Sequence, residues 1–283
     1  MTSPDDDYRI RPDPLDPRLT ERVTGVDQTG QAIETRVTVE RALTIFLNSQ
    51  EIVTAMTIND YPEYLALGYL LNQHMLLPDD VVTGVDYDEE LALVVVRTKR
   101  KTNYEKKLKK KVQTSGCAQG TVFGDLMEAL ENVTLPKAEL RTSWLYALTH
   151  KINTTPSLYL EAGAIHGCVL AHEDKPLVYM EDVGRHNAVD KVAGHLVLGR
   201  TAPEPGEGPP PSLAGCVLMV SGRISFEIVQ KAAVCGIGII AGVSAPSSLA
   251  VDAADRLGMT LAGFVRGESF NVYSHPERLA FDG

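Results

Sequence analysis

The chain has 283 residues, 44% of them hydrophobic, a formal charge of −10 and four cysteines. That much apolar material can fill one large core or two moderate ones, which excludes a small scaffold held by disulfides. Cys117, Cys168, Cys216 and Cys235 have neither CxxC nor paired zinc-knuckle spacing, no apolar run approaches the ~20 residues of a membrane span, and MTSPDDDYRI lacks signal-peptide blocks. The expectation is a cytoplasmic protein without membrane or nucleic-acid partners.

Residues 1–36 are rich in Asp, Pro, Arg and Thr without clear apolar periodicity, and read as a mobile N-terminal arm. Residues 37–57 alternate and break at Asn48-Ser49-Gln50, which predicts a hairpin. A short helix over Glu63 to Leu71 and a buried strand over Leu91 to Val96 complete a small N-terminal α+β lobe over 37–112. The lobe ends in a basic segment. From Arg97 to Lys111 nine positive charges face Glu105 alone, so the segment carries +8 and the rest of the chain −18. Such a segment either meets an acidic partner or polyanion or is a solvated loop.

Residues 113–283 form the second unit, and strand and helix patterns alternate along its length. Strands are expected at Leu177 to Met180, Cys216 to Val220, Ile237 to Val243 and Met259 to Val265, with helices at Asn187 to Leu198, Ser225 to Val234 and Ser247 to Leu257. The alternation predicts a largely parallel α/β sheet with flanking helices, and ligands of such sheets collect beyond the carboxyl ends of the strands. Polar residues gather there. Asp182, Arg185 and His186 follow the first strand, Ser221, Gly222 and Arg223 the second, Ser244 the third, and Arg266, Gly267, Glu268 and Ser269 the fourth. Free N–H groups at helix starts, close-approach glycines and fork-shaped guanidinium groups suit a phosphorylated, nucleotide-like ligand. Ordinary turns with surface arginines are the plain alternative for any single loop.

Cys117 lies between Gly116 and Gly120, after the basic run and before an apparent helix over 121–130. A thiolate there gains from the helix start and nearby lysines, whereas a buried cysteine is only a small apolar group. Cys216 and Cys235 read as core, and Cys168 stays open. His166-Gly167-Cys168 superficially matches the H-x-E element of zinc deaminases, but residue 168 lacks the proton-shuttling carboxylate and no Pro-Cys-x-x-Cys follows. No catalytic metal is expected. His166 and His186 remain open between structural and proton-transfer roles, and Asp190 and Lys191 are expected to form surface pairs.

Leu65-Ala66-Leu67-Gly68-Tyr69-Leu70-Leu71, Thr114-Ser115-Gly116-Cys117, the run Glu181 to Lys191, Ser221-Gly222-Arg223, Val243-Ser244-Ala245-Pro246 and Gly263-Phe264-Val265-Arg266-Gly267 with Asn271 to Ser274 resemble the FdhD family, the formate dehydrogenase accessory sulfurtransferases. The resemblance spans roughly residues 40–279 and implies a cytidine-deaminase-like α/β domain that has lost zinc, and a homodimer. It also implies transfer of persulfide sulfur from a cysteine desulfurase to the molybdenum bis(guanine dinucleotide) cofactor before its insertion into the formate dehydrogenase catalytic subunit. Carried over residue by residue, Cys117 matches the persulfide cysteine, and Phe264, Val265, Arg266, Gly267, Glu268 and Ser269 match the cofactor-binding loop. Many relatives have a second cysteine three positions after the first, where this chain has Gly120. Two functions follow: a sulfurtransferase working through Cys117 alone, or a chaperone that binds the molybdenum cofactor without covalent sulfur transfer.

Overall fold

A computed structural model of the chain describes residues 8–77, 79–100, 133–201, 213 and 215–282. The N-terminal lobe is a four-stranded sheet of β3 (Arg41–Leu47), β4 (Gln50–Thr57), β5 (Val82–Asp88) and β6 (Leu93–Thr98) in the order β4-β3-β6-β5. Asn48, at φ 54°, makes the tight turn between β3 and β4, a conformation asparagine tolerates better than most residues. Helix α1 (Pro62–Asn72) starts at Pro62, whose fixed φ and absent N–H suit a first helical turn. Its Leu65, Ala66, Tyr69 and Leu70 pack on Leu43, Ile45, Leu47, Val94 and Val96. The predicted hairpin, helix and strand of the lobe are all present.

The segment expected as a mobile arm carries regular structure. Ile10 bridges Val178 at a sheet edge, with Arg9 N donating to Leu177 O (2.8 Å) and Tyr179 N to Ile10 O (2.9 Å). Strands β1 (Thr20–Val26) and β2 (Ala32–Thr38) pair in register as a two-stranded ribbon. Composition hid this because Thr, Val and Ile alternate with charged residues on a ribbon with little burial, which leaves no strong apolar period.

The larger unit contains β7 (Leu140–Arg141), α2 (Thr142–Thr154), α3 (Leu158–Ala162), β8 (His166–His172), β9 (Lys175–Asp182), α4 (Arg185–Thr201), β10 (Cys216–Val220), α5 (Phe226–Cys235), β11 (Ile239–Gly242), α6 (Ser248–Arg256), β12 (Thr260–Arg266), β13 (Ser269–Ser274) and β14 (Leu279–Ala280). Its six-stranded sheet has the order β13-β12-β11-β10-β8-β9. The largely parallel expectation is corrected here, because only β10–β11 and β11–β12 pair in parallel. Strand β8, unrecognised in the sequence, inserts antiparallel between β9 and β10. This insertion preserves the feature that matters: β9, β10, β11 and β12 still run in one direction, so their carboxyl ends share one edge.

Alternation along the strands divides the core into two layers. Cys168, Leu170, Met180, Cys216, Leu218 and Ile240 pack under α4 and α5, while Val169, Tyr179, Val217, Met219, Ala241 and Val265 face Leu145 and Leu148 of α2. Burial on both faces explains why these strands read as unbroken apolar runs. Gly236, at φ 81°, closes α5 in the left-handed conformation, and Ile237 N reaches back to Ala232 O (2.9 Å). Ser247 caps α6 by accepting from Ala250 N (3.4 Å).

Candidate functional site

The four strand-end loops form a row linked by hydrogen bonds. Ser221 N donates to Gly167 O (3.0 Å), and Gly167 N donates to Ser221 Oγ (2.9 Å). Ile224 N donates to Ala245 O (3.2 Å), Ser247 N to Ile224 O (3.0 Å), and Phe264 N to Ser244 O (3.3 Å). A Cβ on Gly222 would lie 3.1 Å from Arg185 Cδ and 3.5 Å from His166 Nδ1, so this glycine lets the first two loops close together. With neighbouring strands about 4.8 Å apart, the row from β9 to β12 is about 19 Å long. The loops are therefore strung along an edge and do not meet at one point.

Arg223, Arg266, Gly267, Glu268, Ser269 and Ser221 are exposed along this row, Ser244, Arg185 and His186 are half-buried, and the Val265 side chain is buried beneath it. Phe264 is 41% exposed at φ 55°, an uncommon conformation for a bulky residue, inside the irregular pairing of β12 with β13. Two of the expected helix starts are present beyond β9 and β10, a third follows β11, and the Arg266 loop is instead the turn of a hairpin. Cys117, Gly120 and the basic segment beyond Arg100 lie outside the described residues. At the start of that segment Arg97 pairs with Asp86, and Arg100 donates to Asp80 Oδ1 (2.5 Å), so these two charges are already engaged within the lobe.

Asp182 belongs to the interior. It is fully buried, and its carboxylate accepts from Thr57 Oγ1 (2.5 Å), Gly184 N (3.1 Å) and Asn187 Nδ2 (3.0 Å) and pairs with Lys191 Nζ (2.7 Å). Lys191 is also buried and pairs with Asp60. Burial opposes the charge on Lys191, but the carboxylates of Asp182 and Asp60 outweigh it and hold its pKa above the usual lysine range. Asp190 is equally enclosed, receiving Lys231 Nζ (2.7 Å) and Asn72 Nδ2 (2.6 Å), with burial raising its pKa. The expected surface pairing of Asp190 and Lys191 is thus corrected: both are interior ion-pair members that join α4 to α5, α1 and the lobe. Glu181 accepts from Leu158 N (2.8 Å) and Tyr159 N (3.2 Å) at the start of α3, and its burial likewise raises its pKa. Most charged residues between Glu181 and Lys191 therefore build the frame behind the edge. The sequence could not reveal this, since the partners that tie them to α1, α3, α5 and the lobe lie 22 to 131 positions away.

Two clefts flank the edge and share His166. One, of about 290 Å³, lies between β4, α1, α4 and α5 and is polar, with Tyr69, Gln73, His186, Asp190, Gln230 and Lys231 among its walls. The other, of about 340 Å³, opens on the opposite sheet face and is mainly apolar, with Ile165, Met219, Val243 and Val265 along it. His166 Nδ1 is 3.4 Å from Ser221 Oγ, and burial followed by the Arg185 charge lowers its pKa. Burial, then Lys231, pushes the His186 imidazole down to about 3, so it is neutral near pH 7. Cys168, Cys216 and Cys235 are all buried, and burial raises the Cys216 thiol to about 11, which leaves these sulfurs as core groups. Among the described residues no cluster of His, Cys, Asp and Glu could hold a metal ion, and no helix is long and apolar enough to cross a membrane.

The fold and edge define an α/β protein that presents backbone turns and guanidinium groups along the carboxyl ends of a mixed sheet. The FdhD/NarQ family model matches residues 38–280, and the chain belongs to that family. It is 35% identical to a sulfur carrier protein FdhD of Sulfolobus acidocaldarius over 249 residues, covering 86% of this chain and 90% of the relative. It is 32% identical to the protein of the same name from Bacillus subtilis over 251 residues, covering 87% and 91%. A relative of that name from Anaeromyxobacter sp. is 50% identical over 161 residues, a stretch covering 56% of this chain and about half of the relative, 54%. A crystal structure described as a formate dehydrogenase accessory protein from Desulfotalea psychrophila matches with a TM-score of 0.72 and 26% identity, covering 93% of this chain and 99% of that one.

Proposed function

We propose that this chain is a sulfur carrier in the maturation of a formate dehydrogenase. A cysteine desulfurase loads Cys117 with persulfide sulfur, and the carrier delivers that sulfur to a molybdenum bis(guanine dinucleotide) cofactor before the cofactor enters the catalytic subunit. The observation carrying this reading is the family match along residues 38–280 with relatives named as sulfur carriers, combined with the Thr114-Ser115-Gly116-Cys117 signature.

The row of loops supports the cofactor part. Its about 19 Å length suits an extended polyanion better than one compact phosphate, and Arg185, Arg223 and Arg266 are spaced along it to pair with successive phosphates. The reading treats the six-stranded sheet as a cytidine-deaminase-like core without zinc chemistry, which the burial of Cys168 within the core under α4 supports. The carrier acts in the cytoplasm as a homodimer, and the exposed apolar side chains of Tyr159, Leu160, Val243 and Leu249 support burial against a second subunit.

The deciding experiment is mass spectrometry of the purified protein after incubation with an active desulfurase and cysteine. The reading expects an adduct of about 32 Da, one sulfur atom, on Cys117. Reproducible absence of that adduct, with client activation retained by Cys117→Ser, would establish the chaperone reading in its place.

A further inference from the structure

We propose that a third cleft, between the N-terminal segment, the lobe sheet and the start of α1, docks an arginine side chain carried by a partner protein. It encloses about 430 Å³ and shares no wall residue with the two clefts beside the strand-end loops.

The polar groups of its wall are incompletely matched. The Asp60 side chain is only 9% exposed; Lys191 Nζ donates to its Oδ1, and Oδ2 has no hydrogen-bond partner among the described residues. On the adjacent residue, Asn59 Nδ2 donates to Tyr87 Oη (2.7 Å), while the enclosed Asn59 Oδ1 accepts from no described group. Enclosed acceptors without donors are unfavourable, so two such oxygens on neighbouring residues mark a place where a donor from outside completes the structure. Burial raises the pKa of Asp60 even against the opposing charge of Lys191, so one cation leaves this carboxylate short of compensation.

Charge and shape narrow the donor. Asp13 and Glu89 are exposed at the cleft and have no cationic partner among the described residues. Arg18 is held by Asp16 (Nη2 to Oδ2, 2.7 Å), and Arg41, exposed on the wall, is the remaining opposing charge. Four carboxylates against two guanidinium groups leave the lining at −2. Tyr61 and Tyr87 also stand in the walls, and aromatic faces attract guanidinium. A planar fork can serve both orphan oxygens at once, whereas a compact ammonium cannot match that spread. The rim indicates that a polypeptide presents the group. Leu15, between Asp13 and Asp16, and Leu91, two residues past Glu89, are 70% and 68% exposed, and large apolar side chains around a charged hole suit a protein surface better than a free cation.

The test is an NMR titration of the full chain with the capped peptide Gly-Leu-Arg-Leu-Gly, its Gly-Leu-Gln-Leu-Gly control, and arginine amide. The arginine peptide should shift the side-chain amide of Asn59 and the backbone amides of Tyr61 and Glu89 in a saturable way. The control should leave them in place, and arginine amide should bind more weakly than the peptide. Combining Asp13→Asn with Glu89→Gln, both on exposed side chains, should weaken the peptide about fivefold, and Arg41→Ala should tighten it about twofold. No shift of these amides at millimolar peptide, an equal response to the control, or weaker binding by Arg41→Ala overturns the proposal. Arginine amide binding as tightly as the peptide overturns the protein partner. So does peptide binding that appears only after Lys106, Lys107, Lys109 and Lys110 are neutralised, because the occupant is then the chain's own basic segment.

Discussion

Gly68 of α1 and Asp190 of α4 are in backbone contact: a Cβ on Gly68 would stand 1.7 Å from the Asp190 carbonyl oxygen. The contact is reciprocal one turn on, where a Cβ on Gly194 would stand 1.9 Å from the Tyr64 carbonyl oxygen. Two glycines thus let the lobe helix lie directly on the helix behind the strand-end loops. Gly68→Ala or Gly194→Ala must push the helices apart, and we expect a loss of about 3 kcal/mol, the upper end of overpacking costs, in urea unfolding. A loss below about 0.5 kcal/mol, typical of surface substitutions, would show that the helices separate freely.

The interior ion pairs make a second prediction. Lys191→Met leaves Asp60 and Asp182 enclosed without their cation, so the fold should lose about 3–5 kcal/mol. Asp60→Asn should cost less, because Asp182 would still hold Lys191 and the lost carboxylate is one that burial already drives toward protonation. Thermal unfolding of the two variants should show that order, and the reverse order would contradict the arrangement.

The sequence made the lobe hairpin, α1 and the alternating elements from β9 to β12 legible, because each carries its own period and boundary residues. Ser247 before α6 and Gly236 after α5 are local signals, and both act where their residue types predict. Strand β8 was missed because His166-Gly167-Cys168 invited comparison with a metal motif, while its pairing depends on β9 and β10. The site divided along the same line. Arginines at loop ends could be placed from the sequence, but the burial of Asp182, Asp190 and Lys191 and the polar cleft facing α1 depend on how lobe and sheet dock. No spacing within one segment encodes that.

Stability should fall on acidification through His186. Its folded pKa is about 3, below the ordinary 6.5, so the unfolded chain takes up the proton first. The stabilisation is present above pH 6.5 and is lost as pH falls toward 3. From pH 7 to 5 the neutral imidazole should account for about 1–2 kcal/mol of the loss. Lys231, Arg185, Glu227 and His166 act on the same ring, and the raised pKa values of Asp60, Asp190 and Glu181 oppose the trend. The measurement is therefore the difference in slope between wild type and His186→Gln, which should be flatter. Parallel slopes would mean that His186 titrates normally.

Arg223→Ala should weaken GDP binding by about 1.5–3 kcal/mol if one charge-assisted hydrogen bond is lost. Arg266→Ala tests the far end of the row, and its effect should be larger for the whole cofactor than for GDP. Unchanged calorimetric affinity for both ligands in both variants would remove the ligand from this edge.

The last prediction concerns a carrier with one thiol in its signature. A persulfide is attacked by any nearby thiolate, and a cysteine three positions away would release the terminal sulfur and close a disulfide. Gly120 stands at that position, so under the proposed mechanism sulfur loaded on Cys117 meets no thiol three positions on and passes to an external acceptor. Cys117→Ser should abolish client activation, and Gly120→Cys should yield disulfide and polysulfide by-products, visible by mass spectrometry, without raising activation. Several-fold higher formate dehydrogenase activity with Gly120→Cys would instead show that transfer needs the second thiol, and that the glycine marks an impaired carrier.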